Sequence, residues 1–194
     1  MRTYVVTEGA SDVQLLKSVL NAKGVKDVEY IEGGGKSSIA SMAQSLLIKR
    51  HKPVAVVMDA DMLDKSRVNQ QEKIYFDLLR SFASGVAFKV LLLVPEIEAV
   101  FFDDLELLQR ELRLDKSTIV SSEAEDRPRE TLERLLRKRG IAKRSDFINS
   151  LSPDSLHRLG QSPLFIELAS FICNPQTSGT WSNDPRRHLT QPST

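Results

Sequence analysis

The residues of this chain that can do chemistry are carboxylates standing at the ends of apolar runs. Asp59 and Asp61 close the stretch Val54-Ala-Val-Val-Met-Asp-Ala-Asp61. Glu8 closes the run Thr3 to Thr7, and Asp12 follows four residues on. Glu96 and Glu98 come just after the run Val90 to Val94 and Pro95. Two unit charges about 4 Å apart repel by about 4 kcal/mol at an effective dielectric near 20. If these acids converge, some must be protonated or a cation must sit among them. Hard oxygen donors without Cys or clustered His select Mg2+ or Mn2+ over Zn2+ or Cu2+. Each acid also has an ordinary role open to it. Asp12 and Glu96 suit the positive end of a helix, and Glu8 suits a turn.

The elements that must position these acids follow from patterning. Val54, Val56 and Val57 are β-branched and follow Pro53, which reads as a buried strand. A fully apolar run of this kind belongs inside a parallel sheet covered on both faces. Ligand crevices of such sheets lie outside the carboxyl ends of the strands. Side chains two apart in an extended segment share a face, so Asp59 and Asp61 are expected to look into one site. Thr3 to Thr7, Val28 to Ile31 and Val90 to Val94 are the other strands. Ser11 and Gln14 form a capping-box pattern, with Ser11 as N-cap, before a helix that Gly24 ends. Gly33-Gly-Gly-Lys-Ser37 opens a second helix with the stripe Ile39, Met42, Ala43, Leu46 and Leu47. Asp61 to Lys73 reads as a loop leading to a helix over Ile74 to Phe82. Another helix starts at Glu96, with Ile97, Phe101, Leu105, Leu108 and Leu112 on one face.

Four strand–helix pairs in succession predict an α/β fold, a parallel sheet of about four strands with helices on both faces. The pattern then changes to helices alone, among them Thr131 to Arg139 and Pro163 to Ile172. We divide the chain into an α/β domain over 1–114, a helical extension over 115–173 and a flexible tail over 174–194. Pro, Ser, Thr, Asn and Gly dominate that tail, with Trp181 the exception.

Composition adds little about partners. The chain has 194 residues and a net charge of +1, with ordinary apolar and charged fractions. No apolar run is long enough to span a membrane. The N-terminus runs straight into a strand without a signal-peptide layout, so a cytoplasmic protein is expected. Cys173 is alone, which excludes a disulfide framework and a thiolate metal site. His51, His157 and His188 are scattered without ligand spacing.

Charge is uneven along the chain. Residues 127–144 hold eight basic side chains against Glu130 and Glu133, a local balance of +6 that leaves −5 for the remainder. Such a stretch suits a phosphate backbone, with Arg134, Arg137, Lys138 and Arg139 as the contacts. It equally suits a solvated helix face carrying Glu130–Arg134 and Glu133–Arg137 pairs. Gly33 to Ser37 lacks the first glycine of a P-loop, because Tyr30 holds that position. A glycine turn at a helix start can still hold a phosphate through backbone N–H groups, with Lys36 as counter-ion.

Taken together, the motifs resemble a known domain. Val5-Val-Thr-Glu-Gly-Ala-Ser-Asp12 resembles the first motif of the topoisomerase–primase (Toprim) domain, and Val56-Val-Met-Asp-Ala-Asp61 resembles its Asp-x-Asp motif. Val94-Pro-Glu-Ile-Glu-Ala99 is similar to the segment that brings a further acid after the fourth strand. An acid four residues after the first glutamate, and a Gly-Gly-Gly-Lys-Ser-like turn, are closest to the Toprim half of the overcoming-lysogenization-defect (OLD) nucleases. The resemblance covers roughly 1–110. It implies a Toprim-like sheet and two-metal, Mg2+-dependent hydrolysis of DNA or RNA, with water as nucleophile. Glu8, Asp59 and Asp61 are then the catalytic residues. Glu8, Asp12, Asp59, Asp61 and Glu96 are the metal ligands, with Glu98 in reserve, and Lys36 meets a phosphate.

The chain departs from the family in places. Met62-Leu-Asp-Lys-Ser66 stands where topoisomerases and the small ribonucleases of the group carry Gly and Arg. OLD nucleases carry an ABC-type ATPase ahead of the Toprim part, and this chain opens on the first Toprim strand. The alternative is therefore a non-hydrolytic subunit that binds metal, nucleic acid or protein and acts with a separate ATPase. A phospho-acceptor receiver domain needs an acid pair after the first strand and a lysine after a fifth, and neither is present.

Overall fold

In the computed structural model, residues 2–115, 119 and 121–176 are described. Trp181 and the tail from 177 onward lie outside the described residues.

The expected α/β architecture is present. Strands β1 (Thr3–Thr7), β2 (Val28–Glu32), β3 (Val54–Asp59) and β4 (Phe88–Leu93) pair in parallel, in the order β2-β1-β3-β4. The unbroken apolar run of β3 has a direct cause. Val54, Val56 and Met58 join Tyr4, Val6 and Phe88 in one core, while Ala55 and Val57 join Val5 and Leu91 in another. Each fully buried Val or Leu contributes about 1.5–3 kcal/mol, so both faces of the central strands are fixed by burial.

Two helices cover one face of the sheet. α2 (Lys36–Arg50) contributes Ile39, Ala43 and Leu47, and α3 (Lys65–Ala83) contributes Phe76, Leu79 and Ala83. α1 (Ala10–Ala22) lies on the other face through Leu15, Leu16, Val19 and Leu20. α4 (Leu105–Leu112), α5 (Ser121–Asp126), α6 (Pro128–Lys138), α7 (Arg144–Ser150), α8 (Pro153–Leu159) and α9 (Pro163–Cys173) follow. Leu132, Leu136, Phe147, Phe165 and Leu168 from these helices enter the same core as α1. Phe147 packs against Phe101 at 5.5 Å between ring centres. Arg158 grips Asp104 through two hydrogen bonds of 2.7 Å, and Lys23 Nζ donates to Gly160 O at 2.6 Å. No described helix is long and apolar enough to cross a membrane.

Three local expectations are corrected. The N-cap of α1 is Gly9, not Ser11; Asp12 reaches back to accept from the Gly9 N–H at 3.1 Å. The segment expected as a loop to Lys73 is helical from Lys65, because Asp64 caps it by accepting from Arg67 N at 2.8 Å. The helix expected from Glu96 is instead a 3-10 turn, Ile97–Phe101, followed by α4. Asp104 separates the two by capping α4 at Leu107 N, 3.0 Å away.

Candidate site at the exits of β1, β3 and β4

Strand order decides where the acids meet. α1 leaves β1 on one face of the sheet, and α3 leaves β3 on the other. Neighbouring strands whose connections diverge in this way open a crevice at their carboxyl ends. Glu8 and Asp59 stand on its two sides. Glu8 Oε1 accepts a hydrogen bond from Asp59 N at 3.0 Å, tying the two motifs together.

Asp59 is 4% exposed, and its Oδ1 accepts from Ile97 N at 2.8 Å. Burial pushes its carboxyl up to about 6, with Asp12 and Glu8 adding to the rise; the Ile97 N–H and Arg129 act the other way. Burial also raises the Glu8 carboxyl, assisted by Asp61 and Asp12 and opposed by the Asp59 N–H and Lys36. The acids of both motifs therefore feel one another's charge across the crevice.

Asp61 does not continue the strand. Its backbone is left-handed, with φ of 54°, and its exposed side chain meets Lys36 Nζ at 2.5 Å. The shared face expected for Asp59 and Asp61 is lost at this turn, because alternation holds only while the chain stays extended. Lys36 thus neutralises a carboxylate of the site. The glycines before it seat the turn against β1: Gly33 N donates to Thr7 O at 2.7 Å and Gly34 N to Glu8 O at 3.1 Å. A Cβ on Gly33 would lie 2.5 Å from the Ile39 side chain. Two of the N–H groups that a phosphate would use are therefore spent on the fold.

The residues that sequence reasoning missed as part of the site are Arg129 and Arg144. Arg129, at the start of α6, places Nη2 2.5 Å from Asp59 Oδ2 and Nε 3.3 Å from Glu98 Oε1. Its backbone N–H donates to Glu96 Oε2 at 3.1 Å, and Nη1 lies 3.6 Å from Glu96 Oε1. Arg144, at the start of α7, pairs with Asp12 and Glu98 and donates to Ser11 Oγ. Glu98, 1% exposed, is the hub of both arginines, and its Oε2 is buried without a hydrogen-bond partner. No spacing in the sequence links these arginines to acids so far upstream.

The remaining basic residues are divided. Arg134 pairs with Glu123, not with Glu130, and Arg127 takes Glu130 at 3.4 Å. Arg137 lies 4.0 Å from Glu133, the pairing expected for a solvated face. Lys138 and Arg139 are exposed and make no ion pair among the described residues.

The donor set of this crevice, hard carboxylate oxygens with one buried and unpartnered, has the chemistry of a Mg2+ or Mn2+ site. As arranged, no three acids among the described residues form a group that could hold a metal ion. Arg129, Arg144 and Lys36 supply the positive charge instead.

No family model and no curated protein matches this chain. Among solved structures, the C-terminal region of the Burkholderia pseudomallei OLD protein aligns with a TM-score of 0.49 and 16% identity, covering 89% of this chain and 97% of that one. The C-terminal region of the Xanthomonas campestris pv. campestris OLD protein aligns with a TM-score of 0.48 and 16% identity, covering 89% and 96%. At this level the likeness carries no argument about activity, and the fold class stands on the sheet described above.

Proposed function

We propose that this protein is a nuclease-like Toprim protein that hydrolyses phosphodiester bonds of DNA or RNA with Mg2+ or Mn2+. The observation that carries the reading is the Glu8–Asp59 hydrogen bond at the crevice between β1 and β3, which joins the two motifs of the resemblance. Glu8, Asp12, Asp59, Asp61 and Glu96 would hold the cations only after Arg129, Arg144 and Lys36 release Asp59, Asp12 and Asp61 and the acids draw together, since as arranged they form no such group. Bound there, the cations supply activation of water and stabilisation of the leaving oxygen. Asp59 is oriented for this by the Ile97 N–H, and Glu8 by the Asp59 N–H. Arg129 is 44% exposed, so its guanidinium can swing from Asp59 to a phosphate oxygen when a cation takes its place. The test is incubation of the full chain with plasmid, linear DNA and RNA in Mg2+, Mn2+ or EDTA. Metal-dependent cleavage that Asp59→Ala abolishes supports the reading; no cleavage of any substrate rejects hydrolysis.

A second reading is a non-hydrolytic binding subunit that acts with a separate ATPase. It is favoured by the pairing of Arg129 and Arg144 with Asp59, Asp12 and Glu98, which balances the acids without a metal. The cleavage assay separates the two, since this second reading expects binding of metal, nucleic acid or protein with no metal-dependent cleavage of any substrate.

A further inference from the structure

The sheet ends at β4, and half of that edge is open. Ala60 N donates to Leu93 O at 2.8 Å, so the peptide groups of Leu93 face β3. Backbone groups alternate sides along a strand, so the N–H and C=O of Leu92 face away from the sheet. No hydrogen bond to them is made from outside the sheet among the described residues. The first half of β4 is guarded differently: Lys89 pairs with Glu167 of α9 at 2.6 Å. A charged side chain is a common protection of a strand edge, and Leu92 has none.

A cleft of about 920 Å3 runs along this open half, between the start of α3, α5 and the α8–α9 corner. Leu91, Leu92 and Leu93 all line it. Successive side chains point to opposite faces, so a cavity that touches three in a row touches the edge itself. Its walls carry five carboxylates (Glu96, Asp103, Asp104, Glu125 and Glu167) against Lys65 and Arg158. Arg158, Arg129 and Lys89 already hold Asp104, Glu96 and Glu167. Asp103 and Glu125 make no ion pair among the described residues; Glu125 is exposed, and partial burial pushes the Asp103 carboxyl up to about 6, which leaves it charged at neutral pH. Ser162 Oγ, at the N-cap of α9, is buried against the same cleft without a partner. The surplus charge is negative, which repels a phosphate backbone and attracts a cationic chain.

We infer that the β4 edge is a docking site for an extended segment of a partner protein, one that alternates apolar and basic residues and adds itself as a fifth strand. Main-chain hydrogen bonds to Leu92 supply affinity, the leucines seat the apolar side chains, and Asp103 and Glu125 select the basic ones. The inference does not rest on the hydrolytic reading, because the cleft meets the crevice only at Glu96.

The test uses the full chain and two fluorescein-labelled decapeptides, alternating Val with Lys and Val with Glu. Anisotropy is expected to give the Val–Lys peptide at least about tenfold tighter binding, about 1.4 kcal/mol. Its binding should slow amide exchange at Leu92 about tenfold or more and leave Leu93, already bonded within the sheet, little changed. Leu92→Pro removes the outward donor without removing a bond of the β3–β4 ladder, and is expected to weaken binding about tenfold. If that variant does not fold, Asp103→Lys with Glu125→Lys serves instead and must reverse the preference toward the Val–Glu peptide. Equal binding of the two peptides, no binding of the Val–Lys peptide up to about 1 mM, or unchanged Leu92 exchange overturns the inference.

Discussion

Arg129 and Asp59 are 70 residues apart in the chain and 2.5 Å apart in space. That contact binds the start of α6 to the exit of β3 and fills the site's central carboxylate with a cation the protein makes itself. Arg144 does the same for Asp12 and Glu98 from the start of α7, but it is far less accessible, at 14% against 44% for Arg129. The two arginines should therefore differ in what their removal does.

Arg129→Gln is expected to bind Mn2+ more tightly than the wild type, by about tenfold, because the ion no longer competes with a guanidinium for Asp59. Calorimetry without nucleic acid reads this directly, and equal affinities would mean that Arg129 and the ion do not compete. Arg144→Gln has a different consequence. It leaves Glu98 as a buried carboxylate with one cation fewer, a defect that costs several kcal/mol. Its melting temperature should fall well below that of Arg129→Gln, and comparable losses would contradict the distinction.

The Asp59 carboxyl also predicts how stability depends on pH. Its ordinary value of 3.8 is raised by burial to about 6 in the folded chain. The folded state therefore holds this proton more tightly than the unfolded state. Its destabilising effect is absent below about pH 3.8, grows between 3.8 and 6, and is complete above 6. Asp59→Asn carries no such charge. Its melting temperature relative to wild type should rise from pH 4 to pH 7.5, and a difference that stays flat across that range would refute the argument.

The sequence marks Glu8, Asp59 and Asp61 because each follows an apolar run whose burial on both sheet faces forces a strand. It cannot mark the turn at Asp61, since alternation assumes extended backbone and the chain is left-handed there, with φ of 54°. The start of α3 is hidden for a related reason: Asp64 is one polar residue among several, and only its hydrogen bond to Arg67 N makes it a cap. Arg129 and Arg144 stand within a basic run whose other members point outward. Nothing local separates a guanidinium that turns inward to Glu98 from one that stays in water.

The outward members carry the prediction about phosphate contacts. Lys138 and Arg139 are exposed at the end of α6, beside Arg137. Reversing all three to Glu is expected to weaken binding to DNA or RNA and to flatten its salt dependence. Each lost contact removes about 0.9 from the slope for duplex DNA. Since α6 buries Leu132, Leu135 and Leu136 on the opposite face, the melting temperature should hold. If affinity and slope are both unchanged, these residues are a solvated face and the nucleic acid lies elsewhere.

Glu8→Gln separates catalysis from binding. Glu8 Oε1 accepts from the Asp59 N–H, and a glutamine oxygen can accept the same bond, so the junction of β1 and β3 should survive. Burial already disfavours the charge on Glu8, so its loss should leave the melting temperature equal or slightly higher. Affinity for nucleic acid should be equal or higher as well, because one charge that repels phosphate is gone. Cleavage should fall by about 10²-fold or more, the scale for losing a general base or a ligand of a catalytic ion. Thermal unfolding, anisotropy with labelled oligonucleotides and a gel assay in Mn2+ give the three readings on one preparation. A variant that binds and cleaves like the wild type would remove Glu8 from the chemistry and leave it only the task of holding Asp59.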